Sequence, residues 1–317
     1  MSKWVKKTLF GQFKEELVAD QERKSKQGGF GDSRKWDNLQ AGTVDKPAVY
    51  EGRLLPDKDG TPRYKKIFYH MFQRGDMWVY FTCDKTFNFE NFCPYCYANK
   101  QLWLGSESDK KAAKAFSRKE KYASNFYIVD DPRDKDVPKD IENRNDKLNS
   151  GKTKIYEFGQ KVESKLRAEI LDEKEGLGYS IFDPGEDGYN LIIKVKSTKP
   201  DINGKVWPDY SDSKFSKSSS AIGSDREIRT ILDSTQDLNE YIQAQRKSPA
   251  EMKDNLEKDM LWGLVKSEWE RNYGTTKAVT EEEEISRPPI SDVIEDEDSN
   301  FDPDDVEDDL DKTLANL

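Results

Sequence analysis

Residues 70–96 read HMFQRGDMWVYFTCDKTFNFENFCPYC and contain the single histidine and all three cysteines of the 317-residue chain. Their spacing is His70-x12-Cys83-x9-Cys93-x2-Cys96. One imidazole and three thiols are a common ligand set of closed, tetrahedral zinc sites. Because four protein ligands leave no position for water, the spacing predicts one structural Zn²⁺ ion that stabilises a loop-rich region.

Two other arrangements of these four residues remain open on the sequence alone. The three thiols could be buried without a metal beside an unrelated histidine, and a disulfide would leave one cysteine over. We recognise no secretory segment and no apolar run of membrane-spanning length. We therefore expect reduced cysteines in a cytosolic protein.

The net charge of −10 conceals two oppositely charged parts. Residues 281–317 hold 16 acidic and two basic residues, a balance of −14, so the first 280 residues hold 50 basic and 46 acidic residues, a balance of +4. The acidic part also carries an apolar stripe at spacings of three to four residues: Val306, Leu310, Leu314 and Leu317. We expect a disordered tail that docks on partners and competes with polyanions for the body, or one that only keeps the protein soluble.

Residues 1–27 are expected to form a basic N-terminal arm. The arm opens with Lys3, Lys6, Lys7 and Thr8, and apolar residues then recur at helical spacing: Phe10, Phe13, Leu17 and Val18. Gly28 and Gly29 interrupt the pattern. The segment predicts either a short solvated helix or an arm that docks on another surface, such as a neighbouring copy.

The region from Trp36 to Ile193 is mostly strand-like, because aromatic and β-branched residues recur between turn signals. The predicted strands are residues 48–55, 65–72, 77–83, 123–129, 152–158 and 189–196. Helices are predicted at residues 160–171, 225–238 and 248–273, and residues 109–121 are expected to be a charged helix or a loop. The last helix would begin with a capping box at Ser248 and Glu251 and would have an apolar face: Leu256, Met260, Leu264 and Val265. Short strands with varied connections favour a mainly β, α+β fold resembling a Greek-key barrel.

Basic and aromatic residues alternate in several segments next to these strands. The candidates are Arg118, Lys119, Tyr122, Tyr156, Lys194, Lys196, Trp207, Tyr210 and Lys214. Proteins that bind unpaired nucleic-acid strands stack bases on aromatic rings and contact phosphates with Lys and Arg. Any single tyrosine could instead pack in the core, but Trp207 and Tyr210 are favoured as stacking platforms because they lie in a polar loop.

The sequence offers no set of residues that suggests catalysis. Asp183, Glu186 and Asp187 could suggest a metal-dependent nuclease, but the neighbouring Pro184 and glycines predict a solvated turn. A phosphate-binding glycine loop, a dinucleotide fingerprint and a Ser/His/Asp set are not recognisable.

These residues together resemble a known family, the single-stranded DNA-binding, helix-destabilising replication proteins of T-even-type tailed phages. The resemblance covers roughly residues 36–215 and rests first on the spacing of His70, Cys83, Cys93 and Cys96, with the acidic tail that ends in leucine. Other matching stretches follow in the same order: residues 52–56, 118–132, 156–159, 190–196 and 207–215.

The resemblance implies an OB-fold core with a zinc-stabilised subdomain at residues 28–274. It also implies self-association through the arm at residues 1–27 and recruitment of replication and recombination proteins by the tail at residues 275–317. We accordingly expect a cooperative, sequence-tolerant single-stranded DNA-binding protein, without enzymatic activity or membrane contact, in the cytoplasm of an infected bacterial host. It would protect single strands during replication, recombination and repair.

The resemblance also implies roles for individual residues. Bases would meet Tyr122, Tyr156, Trp207 and Tyr210, and the DNA backbone would meet Arg53, Arg118, Lys119, Lys194, Lys196 and Lys214. Self-association would use Lys3, Lys6, Lys7 and Thr8. Glu90, with Phe89 beside it, stands where the family has a cleft tyrosine.

Three alternatives remain open: an RNA-binding translational regulator on the same scaffold, a zinc-stabilised protein adaptor, and a nuclease. Stacking grooves accept both DNA and RNA, so the first differs only in the sugar it prefers.

Overall fold

The computed structural model describes residues 32–200 and 204–274, so the predicted arm and tail lie outside the described residues. The strands in these ranges are β1 (Ala48–Leu55), β2 (Lys65–Arg74), β3 (Met77–Thr82), β4 (Arg118–Asp130), β5 (Thr153–Phe158), β6 (Leu191–Ser197), β7 (Pro208–Asp209) and β8 (Lys214–Phe215). The helices are α1 (Pro94–Trp103), α2 (Glu107–Ala115), α3 (Arg144–Lys147), α4 (Gln160–Leu171), α5 (Asp225–Asp233), α6 (Leu238–Gln243), α7 (Pro249–Lys258) and α8 (Trp262–Tyr273). No helix in the described ranges is long and apolar enough to cross a bilayer.

The long strand β4 organises an antiparallel sheet. Its first half pairs with β2 and its second half with β1, while β5 pairs along its other edge. The sheet then continues from β1 to β6, which pairs with β7 and β8, and from β2 to β3. Because one strand serves two partners on the same edge, the sheet curls. The mixed α+β prediction is thus confirmed, and the strands are antiparallel as expected.

The largest group of buried side chains, which we call the sheet core, lies between the curled sheet and α4. It is unusually aromatic: the Trp36 ring stacks on Phe126 at 5.3 Å and meets Tyr156 edge-on at 5.6 Å. From α4, Val162 and Leu166 point into this core at the helical spacing of four residues. Burial of large rings and branched side chains therefore stabilises this half of the molecule.

A second group of buried side chains, the metal-side core, lies beyond β2 and β3. It joins the ends of these strands to four helices: α1, α2, α7 and α8. Phe72, Phe81 and Tyr95 form its aromatic centre, with centroids 4.9–6.4 Å apart. Leu256 and Val265 cover it from the C-terminal helices. Strand β2 supplies Phe72 to this core and pairs with β4, which supplies Tyr122 to the sheet core, so β2 connects the two cores.

The sequence located most strands to within a few residues. β1 and α4 have the predicted bounds. Four other strands differ from their predicted bounds by at most two residues at one or both ends: β2, β3, β5 and β6. The one predicted capping box is confirmed at Ser248 and Glu251, where the serine hydroxyl accepts from the Glu251 amide at 3.3 Å.

The single helix predicted for residues 248–273 is wrong, because the chain breaks at Met260. This residue has a left-handed backbone (φ 57°), and the Leu261 amide donates to the Leu256 carbonyl at 2.8 Å, as in a Schellman motif. The break rotates the predicted apolar face. Leu256 and Val265 are buried, whereas Met260 and Leu264 are exposed.

Three other boundaries also differ from the predictions. Residues 109–121 divide between α2, which a capping box at Ser106 starts, and the first residues of β4. The helix predicted for residues 225–238 ends at Asp233, because Asp237 caps the start of α6 by accepting from the Asn239 and Glu240 amides. The polar loop at residues 207–215 contains the short strands β7 and β8.

Candidate metal centre and nucleic-acid interface

Three elements bring the four predicted metal ligands together. His70 comes from β2, and Cys83 directly follows β3. Cys93 is the N-cap of α1, with Pro94 at the first helical position, and Cys96 lies three residues later on the same face of the helix. The Cys-x-x-Cys segment thus works as a helix start, and helix N-termini stabilise thiolates.

The four ligand atoms lie within 4.8 Å of one another. His70 Nε2 is 3.4 Å from Cys93 Sγ and 3.5 Å from Cys96 Sγ, and the Cys83 and Cys96 sulfurs are 3.6 Å apart. A tetrahedral zinc ion with its usual bond lengths places such atoms about 3.5–3.8 Å apart. The residues therefore fit one metal ion.

The surroundings of the site fix the imidazole. His70 is fully buried, its Nδ1 lies 3.1 Å from the Phe116 carbonyl, and its ring stacks on Phe81. A proton on Nδ1 would be donated to that carbonyl, which leaves Nε2 free to face the thiols. Hydrogen bonds from the Cys83 and Cys93 thiols, with Arg118 and Lys85 nearby, lower the pKa of the Cys96 thiol.

Beside the metal ligands lies an exposed group of rings and cations, which we call the cation–aromatic cluster: Lys66, Phe68, Lys85, Phe89 and Arg118. The Arg118 guanidinium carbon is 4.3 Å from the Phe68 ring centroid and 5.3 Å from that of Phe89. Lys66 Nζ lies 4.9 Å from Phe68, and Lys85 Nζ lies 4.6 Å from Phe89. The Phe89 side chain is 58% exposed, which is uncommon for a phenylalanine and leaves a ring face available to a ligand.

Hydrogen bonds connect this cluster to the metal ligands. The Thr86 hydroxyl accepts from the Phe68 amide and donates to the Phe68 carbonyl, both at 2.9 Å, and the Cys83 amide donates to the same carbonyl. Lys85 Nζ donates to the Phe89 carbonyl at 2.6 Å. The loop that follows Cys83 is therefore held against β2.

An open groove continues from the cluster along α4. It has a volume of about 490 Å³ and is lined by Lys66, Glu120, Tyr122, Gln160, Glu163, Ser164, Arg167, Ala168 and Leu171. Lys66 belongs to both the cluster and the groove, and it pairs with Glu120 at 2.7 Å. Tyr122 is largely buried and shows the groove only part of its ring.

A smaller cavity of about 230 Å³ is lined by two of the predicted base contacts, Tyr156 and Tyr210. The other lining residues are Asn38, Tyr69, Glu120, Lys121, Glu157, Phe158, Gly159 and Val162. The Tyr156 hydroxyl is buried and has no hydrogen-bond partner among the described residues. An unpaired buried hydroxyl is costly, so this one is a candidate contact for a ligand atom. Glu120 borders both this cavity and the groove, which makes the two neighbours.

The remaining basic candidates lie on or near β6. Lys194 and Lys196 lie on β6 and are partly exposed; Lys196 pairs with Asp212 at 2.9 Å. Lys214 is exposed on β8, and Trp207, just before β7, is 55% exposed. Arg118 and Lys119 are exposed at the start of β4. These predicted residues thus form two groups: Arg118 and Lys119 at the start of β4, and Lys194, Lys196, Trp207 and Lys214 on or near β6. The cavity lined by Tyr156 and Tyr210 lies between the two groups.

Arg53 is placed differently from the other predicted backbone contacts, because its side chain is fully buried. Its guanidinium donates to Asn190 Oδ1 at 2.8 and 3.0 Å, to the Ser220 carbonyl at 2.8 Å and to the Asp183 carbonyl. Burial lowers its pKa to about 10. Gly188 packs so closely on the guanidinium that any side chain there would collide with it. A phosphate could reach Arg53 only if this network opened.

Sequence reasoning missed Phe68 and Lys66. Both alternate with the ligand His70 on β2, so they share its face of the sheet. Their alternation with the candidate ligand His70 along one strand was the signal that could have identified them. Lys3, Lys6, Lys7 and Thr8 lie outside the described residues.

Comparison with known families agrees with this geometry. The family described as gp32 DNA binding protein like matches residues 52–260, more than half of the chain, and the match includes all four candidate metal ligands. The chain belongs to this DNA-binding family. The resemblance drawn from the sequence is thereby confirmed. A search of curated proteins gave no significant match.

Proposed function

We propose that the protein binds single-stranded DNA cooperatively and with little sequence preference, without enzymatic activity. The observation that carries the proposal is the continuous track of rings and cations that starts at Phe89 and Arg118, passes Lys66 and Tyr122, and reaches the cavity at Tyr156. Unpaired bases stack on such rings while cations follow the phosphates. A duplex cannot offer base faces to these rings.

The curled sheet supports an OB-fold as the body of this protein, because such folds bind single strands on one face of a small closed sheet. In the proposed organisation the core spans residues 28–274. The basic arm consists of residues 1–27, and the acidic tail consists of residues 275–317. The arm would supply self-association, and the tail would recruit replication and recombination proteins. We place the protein in the cytoplasm of a phage-infected bacterium, where it would protect single strands during replication, recombination and repair.

The cofactor in this proposal is one structural Zn²⁺ ion held by His70, Cys83, Cys93 and Cys96. When bound, the ion cross-links β2, the end of β3 and α1. Its part in DNA binding would be to hold the loop that carries Lys85 and Phe89 beside Phe68.

The test is a titration of fluorescently labelled short oligo-dT with the full chain, repeated at increasing salt. Affinity should fall steeply with salt, since the released counterions set the slope. Phe89→Ala should weaken binding by about 1–3 kcal/mol, roughly 5- to 150-fold, whereas Trp78→Ala should not change it. Trp78 is a suitable control because it is similarly exposed and lies on the β2–β3 hairpin.

Oligo-U of the same length, titrated in parallel, separates DNA from RNA preference. Tighter binding of oligo-U would favour the translational regulator. Absence of binding to either strand at low salt, with the metal site loaded, would contradict nucleic-acid binding and favour the adaptor. Cleavage of the oligonucleotide would indicate a nuclease.

A further inference from the structure

An apolar pocket lies beside the groove, near the C-terminal end of α4. It has a volume of about 360 Å³ and is lined by Pro62, Arg63, Tyr64, Ile170, Gly178, Tyr179 and Phe182. The Tyr179 side chain is 59% exposed and that of Ile170 37%, so the pocket is open to solvent. Tyr64 connects it to the groove, because its ring meets Tyr122 edge-on at 5.7 Å and its hydroxyl donates to Glu163 at 3.1 Å.

The charge around this pocket is the opposite of that around the cation–aromatic cluster. Residues 169–187, which supply much of its wall, contain seven acidic residues and one lysine, a balance of −6. Arg63 does little to offset this charge, because its guanidinium is held by Asp57 at 2.7 Å and Asp59 at 2.6 Å. A DNA phosphate would be repelled here. The pocket instead suits a basic ligand with apolar or aromatic side chains.

The chain itself contains a segment with this chemistry. Residues 1–14 include four lysines and no acidic residue, and they include three large aromatic side chains: Trp4, Phe10 and Phe13. An aromatic side chain could fill the pocket while the lysines face the acidic segment. The acidic residues 281–317, the other long segment outside the described residues, carry the wrong charge for this surface.

We propose that this pocket receives the N-terminal arm of a second copy bound next to it on the same DNA strand. The inference rests on the proposed single-stranded DNA binding and assigns a surface to its self-association. Because Tyr64 lines the pocket and contacts Tyr122 and Glu163 of the groove wall, an arm seated in the pocket would lie beside the DNA strand in the groove of the same copy. Residues 15–31, which connect residues 1–14 to the described body, could span at most about 55 Å when fully extended.

The experiment compares binding of the full chain to long poly-dT with binding to oligo-dT that holds one copy. Tyr179→Ala, and separately the double change Glu173→Lys with Glu175→Lys, should reduce the cooperative enhancement on poly-dT about tenfold and leave short-oligonucleotide affinity unchanged. Trp78→Ala is the matched exposed aromatic control and should change neither quantity. Equal cooperativity in all variants would overturn the proposal.

A second measurement identifies the occupant. A photo-crosslinking amino acid at position 179, in a mixture of isotopically light and heavy chains on poly-dT, should yield light–heavy links to residues 1–14. Links confined to single chains, or to other segments, would overturn the proposal. Weaker short-oligonucleotide binding by Tyr179→Ala would do so too, since the pocket would then belong to the DNA site. Failure of the wild type to bind short oligo-dT would instead remove the proposed function.

Discussion

The two cores of this protein are stabilised in different ways. The buried side chains of the sheet core are all aromatic or aliphatic, and they come from four strands (β1, β4, β5 and β6), from α4, and from Trp36, Ile181 and Phe182 outside these elements. The metal-side core contains two of the candidate ligands, Cys83 and Cys93, and its helices are only 9–12 residues long. Isolated helices of that length are marginal in water, so their stability must come from packing and from cross-links.

Strand β2 connects the two regions by pairing with β4, which supplies Tyr122 to the sheet core. Ile67, on the face of β2 opposite Phe68, belongs to a small buried group with Ala123 and Ile155, whereas Phe72 packs in the metal-side core. Residues of β2 that face the metal side include both His70 and Phe68. The strand thus links a region stabilised by apolar burial to one that positions the candidate metal ligands and the rings of the cation–aromatic cluster.

The largest effect should follow removal of the metal. Chelation, or Cys93→Ser, should expose the amides of α1, α2, α7 and α8 to hydrogen exchange while β1 and β6 stay protected. Structural zinc sites in small domains contribute on the order of 10 kcal/mol of apparent binding free energy. Zinc re-addition should restore protection in the chelated wild type. Exchange that is unchanged, or lost equally in both cores, would contradict the division into two regions.

A smaller loss of stability is expected when a buried network of ion pairs next to the sheet core is disrupted. Glu157 pairs with Lys35 and Lys121, each at 2.6 Å, and accepts from the Tyr241 hydroxyl at 2.9 Å. Glu157→Gln leaves two largely buried ammonium groups without their partner and should cost about 3–5 kcal/mol of unfolding free energy at neutral pH. Urea unfolding measures this. Glu240→Gln, at an exposed ion pair with Arg34, should cost less than about 1 kcal/mol.

The contribution of Glu157 to the free energy of unfolding should also depend on pH. Burial alone would raise the pKa of Glu157, but the ion pairs with Lys121 and Lys35 outweigh it and hold the pKa below its ordinary value. A carboxyl with a lowered pKa stabilises the folded state above its ordinary pKa and loses that contribution as the pH falls through the folded value. The difference between wild type and Glu157→Gln should therefore shrink in acid. A difference in unfolding free energy that grows as the pH falls would contradict the lowered pKa of Glu157.

The smallest predicted effect concerns a helix cap in the metal-side core. Ser248→Ala removes the cap of α7 and should cost about 1 kcal/mol, measured by urea unfolding with the metal bound. Ser218→Ala, at an exposed serine that caps no helix, is the control and should be neutral. An equal loss in both variants would show that the cap contributes nothing.

Features of this fold that depend on one short stretch of sequence could be predicted, whereas features that depend on distant segments could not. The candidate metal ligands could be predicted because their chemistry and spacing lie in one stretch. Strand β1 could be predicted because its apolar residues end directly before the turn residues 56–60. The break at Met260 could not, because a methionine occupies a left-handed position that glycine usually takes. Arg53 could not be placed either, because the segments that bury it, around Asp183, Asn190 and Ser220, follow more than 120 residues later in the chain.

The most direct test of the account is photo-crosslinking of the full chain to oligo-dT that carries 5-iododeoxyuridine, followed by mass spectrometry of the linked peptides. This base couples to the aromatic side chains against which it stacks. We predict links at Phe68 or Phe89, near the metal centre, and at Tyr156 or Tyr210, but none at Trp78 or Tyr179, which are exposed but lie off the track. Links at Trp78 or Tyr179, with none along the track, would contradict the proposed path of the DNA.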